Sequence, residues 1–140
     1  MLRRFALTAA ASVAALAALP ATAQATSPTA APTDRLTVTV TGSGGEGDGT
    51  YELNCHPTGG THPNAAKACE RLDEVTVWGT DPFAPVPKDS MCTMQYGGPA
   101  TAHVTGTWQG RPVDATYDRS NGCEISRWDG LVPVLPATSA

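Results

Sequence analysis

Four cysteines, Cys55, Cys69, Cys92 and Cys123, limit what this chain can fold into more than any other feature. In a small domain bound for an oxidising compartment, an even count points to a disulfide framework, and four cysteines allow three connectivities. The simplest pairs neighbours, Cys55 with Cys69 and Cys92 with Cys123. On the chain-entropy account those two loops would contribute about 3 and about 3.7 kcal/mol. That is a large share of the ~5–15 kcal/mol by which a domain is usually stable.

The compartment is read from the first residues. Arg3 and Arg4 precede an apolar run from Phe5 to Leu19, and Ala21-Thr22-Ala23 and Ala23-Gln24-Ala25 both fit a small-x-small cleavage site. The run is short for a membrane span, which takes about 20 apolar residues. Residues 1–25 are therefore expected to be a signal peptide and the protein to be secreted and extracellular. Residues 26–34, mostly Thr, Ser, Pro and Ala without a period, are expected to be a disordered lead-in. Residues 35–140 are expected to form one domain. Without Arg3 and Arg4 the chain has 7 basic against 13 acidic residues, a net charge near −6. Such a balance gives no electrostatic attraction to nucleic acid or to an anionic membrane.

Leu36, Val38 and Val40 alternate with threonines, as in a strand with one buried face. Gly42 to Gly49 reads as a hairpin connection. It lacks the Gly-Lys-Ser/Thr ending of a phosphate loop, and Glu46 and Asp48 would repel phosphate. Tyr51, Leu53 and Cys55 mark the return strand. Pro63 and Asn64 can open a helix, capped by Thr61 or Asn64, with Ala65, Ala68, Cys69, Leu72 and Val75 on its core face. Gly79 to Ser90 carries three prolines and reads as a stiff irregular connection. Thr101 to Trp108 and Arg111 to Asp118 read as a hairpin turning at Gln109-Gly110. Ser120-Asn121-Gly122 turns the chain into Cys123. Leu131 to Leu135 is a last apolar run, which Pro133 would confine to a sheet edge. The expected class is α+β: an antiparallel sheet of about five strands, one or two helices packed on one face, and two disulfides.

Chemistry that needs a metal or a catalytic group finds little support. Cys55, His56, His62 and Cys69 lie close in sequence but not at a finger spacing, and secretion favours oxidised thiols. No Gly-x-Ser-x-Gly and no His-Glu-x-x-His is present. His103 falls within a strand and reads as a surface residue. The expectation is a protein that is not an enzyme, with no metal and no cofactor.

The segment Met91-Cys92-Thr93-Met94-Gln95-Tyr96 behaves differently. Two large apolar side chains lie three apart, and Gly97-Gly98-Pro99 follows at once. A loop pinned at Cys92 and offering apolar side chains is what a protease would bind as a substrate. Methionines filling gaps in the core are the plainer reading.

The chain resembles the Streptomyces subtilisin inhibitor family. The likeness rests on Leu36-Thr37-Val38-Thr39-Val40, the Leu53-x-Cys55 strand end, Gly60-Thr61-His62-Pro63, Ala68-Cys69 with Leu72, and Met91 to Tyr96. It continues through Gly106-Thr107-Trp108-Gln109-Gly110-Arg111 and Ser120-Asn121-Gly122-Cys123-Glu124. These pieces run in order over about residues 36 to 125. The resemblance implies the bridges Cys55–Cys69 and Cys92–Cys123, and Met94–Gln95 as the reactive-site bond. Met94 would be the primary specificity residue and Met91 a second anchor, with Cys92, Thr93 and Tyr96 also in the protease-contact loop. It implies a subtilisin-like serine endopeptidase as partner, with chymotrypsin-like enzymes also accepting the apolar side chain. Family members are homodimers joined through the sheet. Asn121 lies where it could support the loop by a hydrogen bond, or serve ordinary turn chemistry. Thr93 stands where the family often has proline, and Gly97-Gly98 replaces a less flexible segment. Both lead to the expectation of a looser loop. The alternative is a secreted disulfide-stapled binding module that has lost inhibition.

Overall fold

The structure is a computed structural model. It describes residues 31–138, together with residues 12, 14, 15, 17, 18 and 20–24 near the N-terminus. The expected signal peptide and the first part of the lead-in lie largely outside the described residues. Strand β1 (Asp34–Thr41) begins one residue before the expected domain boundary, and Asp34 itself is buried. It pairs on one side with β2 (Gly49–Cys55) and on the other with β4 (Thr101–Trp108). The short β3 (Gly59–Gly60) extends the β2 edge, and β5 (Arg111–Tyr117) extends the β4 edge. The result is a five-stranded antiparallel sheet in the order β3-β2-β1-β4-β5.

Period-two alternation fixes which face is covered. Leu36, Val38, Val40, Leu53, Ala102, Val104, Val113, Ala115 and Tyr117 are buried on one face. Thr37, Thr41, Glu52, His103, Asp114 and Thr116 are exposed on the other. His103 sits on this outer face and pairs with Asp114 at 2.6 Å.

Helix α1 (Ala65–Val75) packs on β2 and β3. Ala68, Cys69 and Leu72 are buried, while Ala65 and Val75 pack partly against the core. Asn64 occupies the cap position, but its side chain does not cap, and the Thr61 hydroxyl instead accepts the Glu52 amide of β2. The Asn64 amide donates to His62 Nδ1, and His62 Nε2 in turn donates to the Val134 carbonyl at 2.9 Å. His62 thus ties the start of α1 to the chain's end. The Cys55–Cys69 bridge fastens α1 to β2, and both its sulfurs are thereby unavailable to a metal.

Residues Gly122–Asp129 form α2, the second of the one or two helices expected, directly after the bend at Ser120 and Asn121. One expectation needs correction. The apolar run Leu131–Leu135 is not an edge strand: it makes successive turns after α2, and Leu131, Val134 and Leu135 insert into the core beside Trp128. Trp128 is the largest fully buried side chain, and its indole N–H donates to the Pro136 carbonyl at 2.9 Å.

Candidate functional site: a loop held on both sides

Between the irregular 76–90 connection and β4, residues Met91–Tyr96 form neither helix nor strand. Met91 is 98% exposed, Met94 94% and Tyr96 67%, and Thr93 and Gln95 are exposed beside them. Three large apolar or aromatic side chains left together in water gain nothing for folding and mark a surface that a partner covers. The methionines are therefore not core filling. No charged residue occurs from Met91 to Ala102, so the loop presents backbone and uncharged side chains alone.

The loop is fixed from both ends by one short stretch, residues 119–123. Upstream, Cys92 is bonded to Cys123, with Cα atoms 5.3 Å apart. The Gly122 amide donates to the Thr93 carbonyl at 3.0 Å. A side chain at position 122 would collide with the Thr93 hydroxyl, so glycine there is what lets the backbones approach. Downstream, the Gly97 amide donates to the Arg119 carbonyl at 2.7 Å, and Arg119 Nε returns a bond to the Gly97 carbonyl at 3.1 Å. Gly97 is buried, and a Cβ there would lie 2.8 Å from Ile125 Cγ1 and 3.0 Å from Arg119 Cβ. The expectation that Gly97 loosens the loop is therefore corrected: both of its peptide polar groups are bonded and its missing side chain makes room for the clamp. Gly98 has φ +100°, a backbone conformation that glycine adopts without strain.

Asn121 serves the loop indirectly. Its Oδ1 accepts the Glu124 amide at 3.0 Å and so caps α2, whose first residue, Gly122, holds Thr93. The Asn121–Glu124 spacing is a capping signal that the sequence did carry. Arg119 was missed altogether, since an arginine beside Asp118 and Ser120 reads as solvated surface. In the fold it is 3% exposed, bonded to Asp129 Oδ1 at 2.7 Å, with its guanidinium carbon 5.8 Å from the centre of the Trp128 ring system.

A second arginine steadies the approach to the loop. Arg127 donates to the carbonyls of Ala84, Phe83 and Thr116, and lies 3.8 Å over the Tyr117 ring. It thus straps the proline-rich connection to β5. Burial of the Tyr117 phenol pushes its pKa up to about 12, against the opposing effect of the Arg127 charge.

The sequence matches the family described as subtilisin inhibitor-like over residues 30–121. A subtilisin inhibitor-like protein 1 from Streptomyces cacaoi is 40% identical over 80 residues, which are 54% of this chain and 68% of that protein. A subtilisin inhibitor from Streptomyces violaceus is 35% identical over 128 residues, 84% of each chain. Among solved structures, Streptomyces caespitosus sermetstatin in complex with Bacillus licheniformis subtilisin covers 71% of this chain and 97% of its own, at 24% identity and a TM-score of 0.44. The family match spans well over half the sequence and two relatives exceed 30% identity over most of their length, so this chain belongs to the subtilisin inhibitor-like family.

Proposed function

We propose that this protein is a secreted, substrate-like inhibitor of subtilisin-type serine proteases, with Met94–Gln95 as its reactive-site bond. It would also act on chymotrypsin-like enzymes that take a large apolar side chain. The observation that carries the reading is the loop itself: Met91 and Met94 stand free in solvent while the backbone on both sides of Met94–Gln95 is tied down. A segment ordered before it meets the protease loses little conformational freedom on binding. Met94 is unbranched and polarizable and fits an apolar specificity pocket, and Met91 reaches a second one. No arginine or lysine lies in the loop to attract an enzyme whose pocket holds a buried aspartate. Tight binding of this ground state with slow turnover is inhibition and not catalysis.

Stoichiometric titration tests this. Mature protein added to subtilisin should abolish activity at close to one inhibitor per enzyme. Full activity at large molar excess would refute it. Two further parts of the reading have their own tests. Secretion predicts a mature chain beginning near Gln24 to Thr26, read by N-terminal sequencing of culture supernatant. A homodimer joined through the outer, threonine-rich face of the sheet predicts twice the monomer mass by analytical ultracentrifugation.

A further inference from the structure

We propose that Arg119 is the positioning residue that keeps the Gln95 side of the reactive bond attached to the body of the inhibitor while that bond is open. The proposal rests on the reading of Met94–Gln95 as the bond that the protease attacks. When the enzyme's serine oxygen adds to the Met94 carbonyl, the carbon–nitrogen bond breaks. Gln95 then leaves as a free amine, having taken a proton from the enzyme's base. The reverse step needs that amine to attack the acyl carbonyl, which expels the serine oxygen and returns its proton. Whether the bond re-forms depends on how long the amine stays in place.

On the acyl side the tether is covalent, since Met94 is two residues from the Cys92–Cys123 bridge. On the amine side there is no covalent tether nearby. The first attachment after Gln95 is Gly97, and what attaches it is Arg119. The two residues exchange two hydrogen bonds, Gly97 N–H to the Arg119 carbonyl and Arg119 Nε–H to the Gly97 carbonyl. Only Gln95 and Tyr96 are left free, a reach of about 7 Å. The guanidinium is in turn oriented by Asp129 at 2.7 Å and lies beside Trp128. A buried guanidinium is costly unless its donors are used. A purely space-filling demand over Trp128 would be met by an apolar side chain. The fork, bonded to a loop carbonyl and to a carboxylate at once, is specific to arginine. Gly97 completes the fit, because any side chain there would press on Ile125 and on Arg119 itself.

The test compares wild type with Arg119→Met, which keeps an apolar stem over Trp128, and Arg119→Lys, which keeps a charge for Asp129 without the fork. Each is incubated with a small amount of subtilisin. Residual activity and the ratio of intact to Met94-cleaved chain are followed to equilibrium by mass spectrometry after reduction. Wild type should stay mostly intact and inhibitory. Arg119→Met should inhibit at first and then release activity as cleaved chain accumulates, with net cleavage about tenfold faster and the equilibrium shifted toward the cleaved form. Arg119→Lys should restore little of this. A merely structural role would lower thermal stability and leave the intact-to-cleaved ratio unmoved. Should Arg119→Met fail to fold, Asp129→Asn, altered at a half-exposed carboxylate, should shift the ratio in the same direction by less. If wild type inhibits and the folded variants match it in both rate and ratio, this proposal is overturned alone. If wild type leaves subtilisin untouched, the inhibitor reading and this proposal fall together.

Discussion

Met94 shows at the scale of one residue how exposure and function connect. Its side chain packs against nothing in the free protein. Shortening it should therefore leave stability unchanged and act on binding alone. Burying a methionine is worth ~1.5–3 kcal/mol, so Met94→Ala should weaken inhibition of subtilisin roughly 10- to 100-fold, with an unchanged melting temperature. Met94→Lys should move inhibition toward trypsin, whose pocket demands a cation. A lysine variant that still prefers subtilisin would remove Met94 from the primary position. Oxidising the thioether to the sulfoxide puts a polar group into an apolar pocket and should also weaken binding. Enzyme titrations before and after mild peroxide treatment, with Met94→Leu as an oxidation-resistant control, read this directly.

The loop and the start of α2 act together as one element. The Cys92–Cys123 bridge closes a 31-residue separation, worth about 3.7 kcal/mol on the loop-entropy account. Replacing both cysteines by serine should lower stability by roughly 2–4 kcal/mol and turn the inhibitor into a digestible substrate. Denaturant unfolding and gel analysis of a subtilisin digest check the two effects separately. Gly98 gives a cleaner test of the loop backbone. Nothing lies within 4 Å of where its Cβ would be, so Gly98→Ala strains only φ and should cost about 1–2 kcal/mol. An unchanged unfolding midpoint would show that the loop relaxes to another conformation at no cost. The sequence showed this element only in part. The Gly97-Gly98-Pro99 that follows Tyr96 argued for an exposed loop, while the place of Met94 in that loop came from the family resemblance. The position of helix α2 was not legible, because Ser120-Asn121-Gly122 carries strong turn chemistry and the helix spans only eight residues. The Asn121–Glu124 cap was the one local sign against that reading.

Across the whole molecule, a charge cluster joins elements distant in sequence. His56 at the end of β2 lies 2.6 Å from Asp34 at the start of β1 and 3.1 Å from Asp73 on α1, and Asp34 also accepts the Gln109 amide from the β4–β5 turn. Burial pushes the Asp34 carboxyl up, but hydrogen bonds from His56, the Gln109 amide and Thr33 outweigh it and hold the carboxyl below 3.8. Hydrogen bonding to Asp34, then to Asp73, raises His56 above 6.5. A lowered acid stabilises the fold above pH 3.8, and that contribution is lost as pH falls through its folded value. A raised histidine stabilises it below pH 6.5, and that contribution is lost as pH rises through its folded value. Stability from this cluster should therefore be greatest between pH 3.8 and 6.5. Melting temperatures measured from pH 3 to 9 should fall on the alkaline side for wild type, and less so for His56→Ala. Parallel curves for the two proteins above pH 6.5 would disprove the linkage.

Sequence alone determined the sheet's inner face, the turn at Gln109-Gly110, the core face of α1 and the loop carrying Met91 and Met94. Each of these is written in local periodicity or in the conformational demands of single residues. The tertiary structure decided which contacts turn that loop into a clamped strip. Arg119 and Gly97 are 22 positions apart and carry no mutual signal along the chain, yet they meet because β5 and α2 bring residues 119–123 under the loop. Gly97, read locally, is a flexible residue; buried between Ile125 and Arg119 with both peptide groups bonded, it is a fixed point. Flexibility is a property of a residue's surroundings as much as of its own backbone, and only the folded chain supplies the surroundings.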